Sequence, residues 1–199
     1  MRHLIKMKKD FAQNKKGFTI METLIAISLL LLAITGPMVF AQNALRAAFN
    51  SRDQVTAFYL AQDAIELVKN VRDNNILYQN EDWLLGLRGC STSDGGCTVD
   101  TFVSLGEFES CSNIDKPGCL GESGDASDDV HLKINQNGII GHTGNTESIF
   151  SRAIYIDTDG VWSREAKITV KVRWKSNENI GARDITVVEY IYDWAGTIL

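Results

Sequence analysis

The feature that most constrains this chain is a run of 23 residues without a charge, from Thr23 to Leu45. Leu, Ile and Ala dominate its first half. At about 1.5 Å of rise per residue, a helix of this length covers roughly 35 Å, enough to cross the hydrocarbon core of a bilayer. The run is longer than the apolar core of about 7–15 residues in a secretory signal peptide. It therefore predicts a transmembrane helix.

A basic segment comes directly before this run. Residues 1–17 hold six bases and one acid, which leaves 14 bases and 24 acids, a net charge of −10, for the other residues. Lys and Arg beside an apolar segment keep that end in the cytoplasm. We therefore expect a single-pass protein of the cytoplasmic (inner) membrane with an extracytoplasmic C-terminal domain. A body this acidic argues against nucleic-acid binding.

Glu22 lies just inside the apolar region and needs an explanation. One interpretation places it among the lipid headgroups, stabilised by the positive end of the helix dipole. The other starts from Gly17, whose missing side chain suits a protease that cuts before Phe18. That cut would create an ammonium group four residues before Glu22. A pair formed between the two groups across neighbouring chains would set their axial register, because an unpaired acid in hydrocarbon is penalised.

The stretch "KKGFTIMETLIAISLLLLAI" resembles the N-terminus of type IV pilins and of the pseudopilins of type II secretion systems. The resemblance is strong from Lys15 to about Asn75. It implies cleavage between Gly17 and Phe18 by prepilin peptidase, a membrane aspartyl protease, and N-methylation of the new Phe18 amine. It also implies that Glu22 serves processing or assembly, that the helix forms a filament core, and that the partners are other pilin or pseudopilin subunits and an assembly platform.

The chain departs from this family's commonest pattern in three places. Its leader has 17 residues, or 11 if translation begins at Met7. Met21 precedes the acid where an aliphatic residue is commoner. Gly36 and Pro37, which we expect to break, bend or loosen the helix, lie at a different offset from the usual helix-breaking Pro. A retractile pilus, a secretion pseudopilus and a DNA-uptake filament all remain open.

A helical period continues beyond the apolar run, over residues 46–75. Apolar residues recur at spacings of three and four, which predicts a buried stripe on an amphipathic helix. This stripe comprises Ala57, Phe58, Leu60, Ala61, Ala64, Ile65, Leu67, Val68 and Val71. Asp73, Asn74 and Asn75 are a plausible stop.

Residues 130–199 alternate in the manner of strands that are buried on one face. The predicted strands are Val130–Asn135, Ile149–Asp157, Ala166–Lys175 and Arg183–Trp194. In the third of them one face should be buried, with Ile168, Val170, Val172 and Trp174, and the other should be solvated, with Lys167, Thr169, Lys171, Arg173 and Lys175. We therefore predict an α+β fold with a pilin-like architecture, in which the second half of a long helix packs on an antiparallel sheet of about four strands.

Residues 76–129 form the remaining region, which holds all four cysteines, Cys90, Cys97, Cys111 and Cys119. Outside the cytoplasm these should form disulfides, and four cysteines allow three connectivities. We favour the two short loops, Cys90–Cys97 and Cys111–Cys119. The alternative of a zinc site lacks a Cys-x-x-Cys pair.

No pattern in the chain indicates catalysis or a cofactor. The three histidines are scattered, and neither a nucleophile elbow nor a nucleotide-binding loop is found. Asp125, Asp128 and Asp129 are weak calcium candidates, although a solvated acidic loop explains them better. The sequence thus predicts no enzyme.

Three hypotheses follow for what the chain does. The first is a structural subunit, in particular a minor one, of a type IV pilus or a type II secretion pseudopilus. The second is a membrane-tethered extracytoplasmic binding domain that does not polymerise and so needs none of Gly17, Phe18 and Glu22. The third is a secreted domain cut after Ala41, because Val39-Phe40-Ala41 can pass for a signal-peptidase site. The filament-subunit hypothesis divides the chain into a leader at 1–17, a filament-core helix at 18–45, an amphipathic helix at 46–75, a disulfide-bearing region at 76–129 and a sheet region at 130–199.

Overall fold

The structure, a computed structural model, describes residues 17–78, 82–100, 108–112, 116–121, 129–160, 163–176 and 181–196. The basic leader at 1–16, with Met7, lies outside these residues. The chain divides into two compact units, residues 1–48 and 49–199. A single helix, α1 (Ile20–Leu77), begins in the first unit and ends in the second.

Within the first unit, α1 runs through Gly36 and Pro37 without interruption. The helix is thus continuous across these two residues, and the bend or loosening expected there stays a prediction. A proline removes one backbone hydrogen bond, in this case to the carbonyl of Ala33. Good helix formers lie one turn away on each side, Leu29–Ala33 before the site and Ala41, Gln42, Ala44 and Leu45 after it, and they favour a helix that continues across it.

The second unit contains a five-stranded sheet in which every neighbouring pair is antiparallel. Its strands are β1 (Cys97–Val99), β2 (Phe108–Ser110), β6 (Phe150–Thr158), β7 (Glu165–Trp174) and β8 (Arg183–Tyr192), in the spatial order β2-β1-β6-β7-β8. The three long strands form a meander, in which Ile154 lies opposite Val170 and Val170 lies opposite Val187.

A second, three-stranded antiparallel sheet has the order β4-β3-β5. It consists of β3 (Lys133–Ile134), β4 (Ile140–Gly141) and β5 (Thr146–Glu147). Backbone bonds join it to the large sheet, since Leu132 N donates to the carbonyl of Phe150 at 2.8 Å. The prediction of an α+β fold with an antiparallel sheet is confirmed, but the count of about four strands was too low.

The core lies between α1 and the large sheet. The helix buries Ala57, Leu60, Ala61, Ala64, Ile65 and Val68, and the central strands bury Ile154, Ile156, Ile168, Val170 and Val172. Phe58 was expected in this stripe, but it is 45% exposed. Its position, one residue after Ala57, rotates it about 100° around the helix and away from the centre of the buried face.

The segment after α1 also contributes to the core. Asn75 is buried near the end of the helix, and its amide nitrogen donates to the carbonyls of Trp83 and Leu85. Two short 3-10 helices follow, Arg88–Cys90 and Thr92–Asp94. Trp83, Leu84 and Leu87 pack into the core beside the first of them. The stop predicted at Asn75 is thus two residues short of the observed helix end.

Candidate functional site

The predicted cleavage site lies directly before α1. Gly17, Phe18 and Thr19 are in neither helix nor strand, and the helix begins at Ile20. Phe18 is 76% exposed. A Cβ atom built on Gly17 has no described atom within 4 Å. Since this chain itself leaves room for a larger side chain, any requirement for glycine here comes from the enzyme that would cut the bond.

Thr19 caps the N-terminus of α1. Its side-chain oxygen accepts a hydrogen bond from Glu22 N at 3.3 Å, and its carbonyl accepts one from Thr23 N at 3.1 Å. Thr and Glu three residues apart form the sequence pattern of a capping box. Sequence reasoning missed this role of Thr19, although Thr19-Ile20-Met21-Glu22 contains the pattern.

Glu22 therefore lies in the first turn of α1, where the helix dipole favours a negative charge. Its carboxylate forms no ion pair with the residues that the structure describes. The cap uses only the backbone N–H of this residue, so the carboxylate remains available for a cation.

The first half of α1 exposes its whole circumference. Every residue from Gly17 to Phe49 is exposed, and α1 is long and apolar enough to cross a membrane. Three hydroxyls inside the helix donate to its own carbonyls, Thr23 Oγ1 to Ile20 O, Ser28 Oγ to Leu24 O and Thr35 Oγ1 to Leu31 O. They therefore carry no unsatisfied donor into an apolar environment.

The four cysteines form two disulfides, Cys90–Cys97 and Cys111–Cys119, here called the first and second disulfide. These are the two short loops favoured from the sequence. The cysteines are buried, and the first disulfide ties the first 3-10 helix to the start of β1. Disulfides of this kind suit an exported domain.

Of the calcium candidates, Asp125 and Asp128 lie outside the described residues. Asp129 is buried and accepts hydrogen bonds from Arg173 Nη1 at 2.8 Å and from Gly121 N at 2.7 Å. A guanidinium at this distance neutralises the carboxylate and repels a divalent cation. Within the described part of the chain, no three His, Cys, Asp or Glu side chains are grouped to hold a metal.

One apolar groove lies between α1 and β8, at the edge of the large sheet. Its volume is about 500 Å³. It is lined by Gln54, Val55, Phe58 and Tyr59 of the helix and by Ile185, Thr186 and Val187 of the strand. Exposed aromatic side chains beside a sheet edge are features of a surface that contacts other molecules.

Comparison of the chain with protein-family models, with curated proteins and with solved structures gave no match in any of the three.

Proposed function

We propose that this chain is a structural subunit of a type IV pilin-like filament, a minor pilin or a type II secretion pseudopilin. In this proposal the leader is removed between Gly17 and Phe18. The first half of α1 then anchors the subunit in the cytoplasmic membrane. It then moves laterally into a growing fibre, in which apolar helices exchange lipid contacts for contacts with one another. The energy for this movement comes from another protein.

One observation carries the proposal: an exposed Gly-Phe bond precedes a capped apolar helix whose first turn holds an acid. The bond lies in exposed backbone outside helix and strand, where a protease can reach it. The acid at Glu22 has a carboxylate not paired with any described residue. After cleavage, the Phe18 amine of a neighbouring subunit would be its counter-ion.

Mass spectrometry of the mature N-terminus tests this proposal. We expect a chain that begins at Phe18 and carries one additional methyl group on its amine. A mature chain that begins at Gln42 would instead identify a secreted domain cut after Ala41. A full-length chain with its leader attached would identify a simple membrane tether.

A matched pair of variants tests the cleavage step. Gly17→Arg should keep the leader attached, so that the protein migrates more slowly in electrophoresis than the wild type. Gly181→Arg is the control, because this glycine is also exposed and has no described atom within 4 Å of a Cβ built on it. It should be processed normally. A mature-sized band for Gly17→Arg contradicts the proposal.

The groove beside β8 favours the second candidate, a membrane-tethered binding domain that does not polymerise. Its lining is apolar and exposed on the body of the chain. The two candidates differ in their need for Glu22. A tethered binding domain would retain its function with alanine at that position, whereas a filament subunit would lose its place in the fibre.

A further inference from the structure

Arg152 occupies a core position near the start of β6, and its side chain is completely buried. Nη1 donates to the carbonyl of Leu60 in α1 at 3.0 Å and lies 3.4 Å from the Oδ2 atom of Asp63. Nη2 donates to the carbonyl of Val99 in β1 at 2.8 Å. A buried charge is tolerated only with such partners. The core can therefore close around the guanidinium only when these acceptors are in place.

The ion pair with Asp63 does not meet this condition by itself. The Asp63 side chain is 48% exposed, so water screens its charge. Burial holds the pKa of Arg152 below its ordinary value, and the carboxylate of Asp63 only partly opposes this shift. Nε has no partner among the described residues. The two backbone carbonyls are therefore essential acceptors.

Both disulfide-bearing segments bond to Arg152. Val99, which accepts from its side chain, lies two residues after the end of the first disulfide at Cys97. Gly118, whose carbonyl accepts from the Arg152 backbone N–H at 2.8 Å, is adjacent to the end of the second disulfide at Cys119. Thr98 Oγ1 links the two segments by donating to the carbonyl of Pro117 at 2.8 Å.

Where the structure describes them, these segments have little regular structure of their own to hold them in place. β1 and β2 have three residues each. Strands this short do not form stably without other support. A disulfide restricts the chain on either side of it and so reduces the conformational freedom that must be lost on docking. Without that restriction, β1 would leave the sheet more often, and each departure would remove the Val99 acceptor from the buried guanidinium.

We propose that Arg152 makes folding of residues 49–196 conditional on oxidation of the cysteines, and of the first disulfide in particular. In a reducing compartment the hydrogen bonds of this guanidinium cannot all form, and residues 49–196 remain unfolded. On the oxidising side of the membrane, β1 docks and the core closes. This inference goes beyond the proposed function and does not depend on filament assembly.

The oxidation requires an acceptor, which we assign to the chemical class of disulfide oxidants. Cys90 and Cys97 lose two protons and two electrons as their S–S bond forms. The oxidant's own disulfide takes up both electrons and both protons and becomes two thiols.

Two backgrounds of the full-length chain in detergent micelles test the proposal. Removal of the first disulfide by Cys90→Ala/Cys97→Ala is measured in wild type and in Arg152→Met, whose unbranched apolar side chain needs no acceptor. We expect the fall in the urea midpoint of unfolding to be about twice as large in the wild-type background, because the two sites are coupled. Failure of the disulfide variant to fold, with folding restored by Arg152→Met, supports the proposal equally.

A second buried arginine provides the control. Arg173 bonds to Asp129 and Gly121 and to no described residue of the segment from 88 to 100. Asp129→Leu/Arg173→Met, which removes both charges of this pair, should therefore leave the effect of removing the first disulfide unchanged. Equal losses in the wild-type and Arg152→Met backgrounds, or failure of both to fold without the disulfide, would overturn the proposal.

Trypsin supplies a measurement that needs no arginine variant. The peptide bond after Arg152 is a trypsin site that lies in the core of the oxidised chain. We expect no cleavage there in wild type and cleavage between Arg152 and Ala153 in Cys90→Ala/Cys97→Ala, identified by mass spectrometry of the fragments. Protection of this bond in the disulfide variant contradicts the proposed dependence on oxidation.

Discussion

Arg173 and Asp129 form an ion pair in the interior of the second unit, with Arg173 Nη1 2.8 Å from Asp129 Oδ1. Their side chains are 7% and 0% exposed. Gly121 N also donates to the same carboxylate oxygen, so the pair joins β7 to Asp129 and to the backbone at Gly121. The alternation of β7 placed Arg173 on a solvated face, and the structure corrects this because residues before β3 cover that end of the strand.

Loss of one partner of this pair should destabilise the chain strongly. Asp129→Ala leaves the Arg173 guanidinium buried without its counter-ion, and we expect the free energy of unfolding to fall by about 3–5 kcal/mol. Urea unfolding of the full-length chain measures it. The double variant Asp129→Leu/Arg173→Met removes both charges and should recover much of the loss. A loss for Asp129→Ala below about 1 kcal/mol, the value of a surface ion pair, would show that the pair is not essential.

The long elements were predictable because their hydrophobic periods are long. The stripe from Ala57 to Val68 and the alternation of β6, β7 and β8 each extend over enough residues for the period to be read. The strands of two or three residues carry no such period. β1 and β2 are held by pairing with neighbours, by the disulfides and by Arg152, none of which is local in sequence.

A signal for Arg152 was nevertheless present in the sequence. In "IFSRAIYID" it takes the same face as Phe150, Ile154 and Ile156, which are all buried. A charged residue at a core position of an alternating strand indicates a buried, hydrogen-bonded charge. Its partners Leu60 and Val99 are 92 and 53 residues away, so only the fold could identify them.

Gly118 should not tolerate a side chain. Its φ of 98° is in the region that favours glycine, and a Cβ there would lie 2.5 Å from Thr98 Oγ1. Gly138 has a φ of 77° but no described atom within 4 Å of its Cβ position, so Gly138→Ala is the matched control. We expect the control to lose about 1–2 kcal/mol from backbone strain alone. Gly118→Ala should lose more, and equal thermal shifts of the two variants would contradict the close approach.

His142 should make stability depend on pH. Burial lowers the pKa of His142 from its ordinary value of 6.5. Thr98 Oγ1 donates to Pro117 O, so His142 Nε2, at 2.8 Å, must be the donor to this hydroxyl in the neutral ring. The unfolded chain binds the proton more readily than the folded chain does. The stability that the neutral His142 ring contributes is therefore constant above pH 6.5 and is lost as pH falls from there toward the lower pKa of the folded chain.

The measurement is urea unfolding of wild type and His142→Gln between pH 7.5 and pH 5, about the range where a histidine near its ordinary pKa titrates. Gln keeps a donor for Thr98 but does not titrate. The difference between the two proteins should grow toward acid, with wild type losing more stability. Parallel curves would mean that His142 does not titrate with folding.

The last prediction separates the charge of Glu22 from its place in the helix cap. The cap uses only the backbone N–H of Glu22, so Glu22→Gln leaves it intact, but the Gln amide has no charge to pair with the amine that cleavage would create at Phe18. We therefore expect Glu22→Gln and Glu22→Ala to insert into the membrane and to be cleaved, yet both to be scarce in filaments.

Thr19→Ala is the control, because it removes the cap but keeps the carboxylate. The cap contributes about 1 kcal/mol to a helix. We expect Thr19→Ala to assemble better than either Glu22 variant. The ratio of filament to membrane protein in immunoblots measures this order. Normal assembly of Glu22→Gln would show that the negative charge is not needed and would contradict an ion pair between subunits.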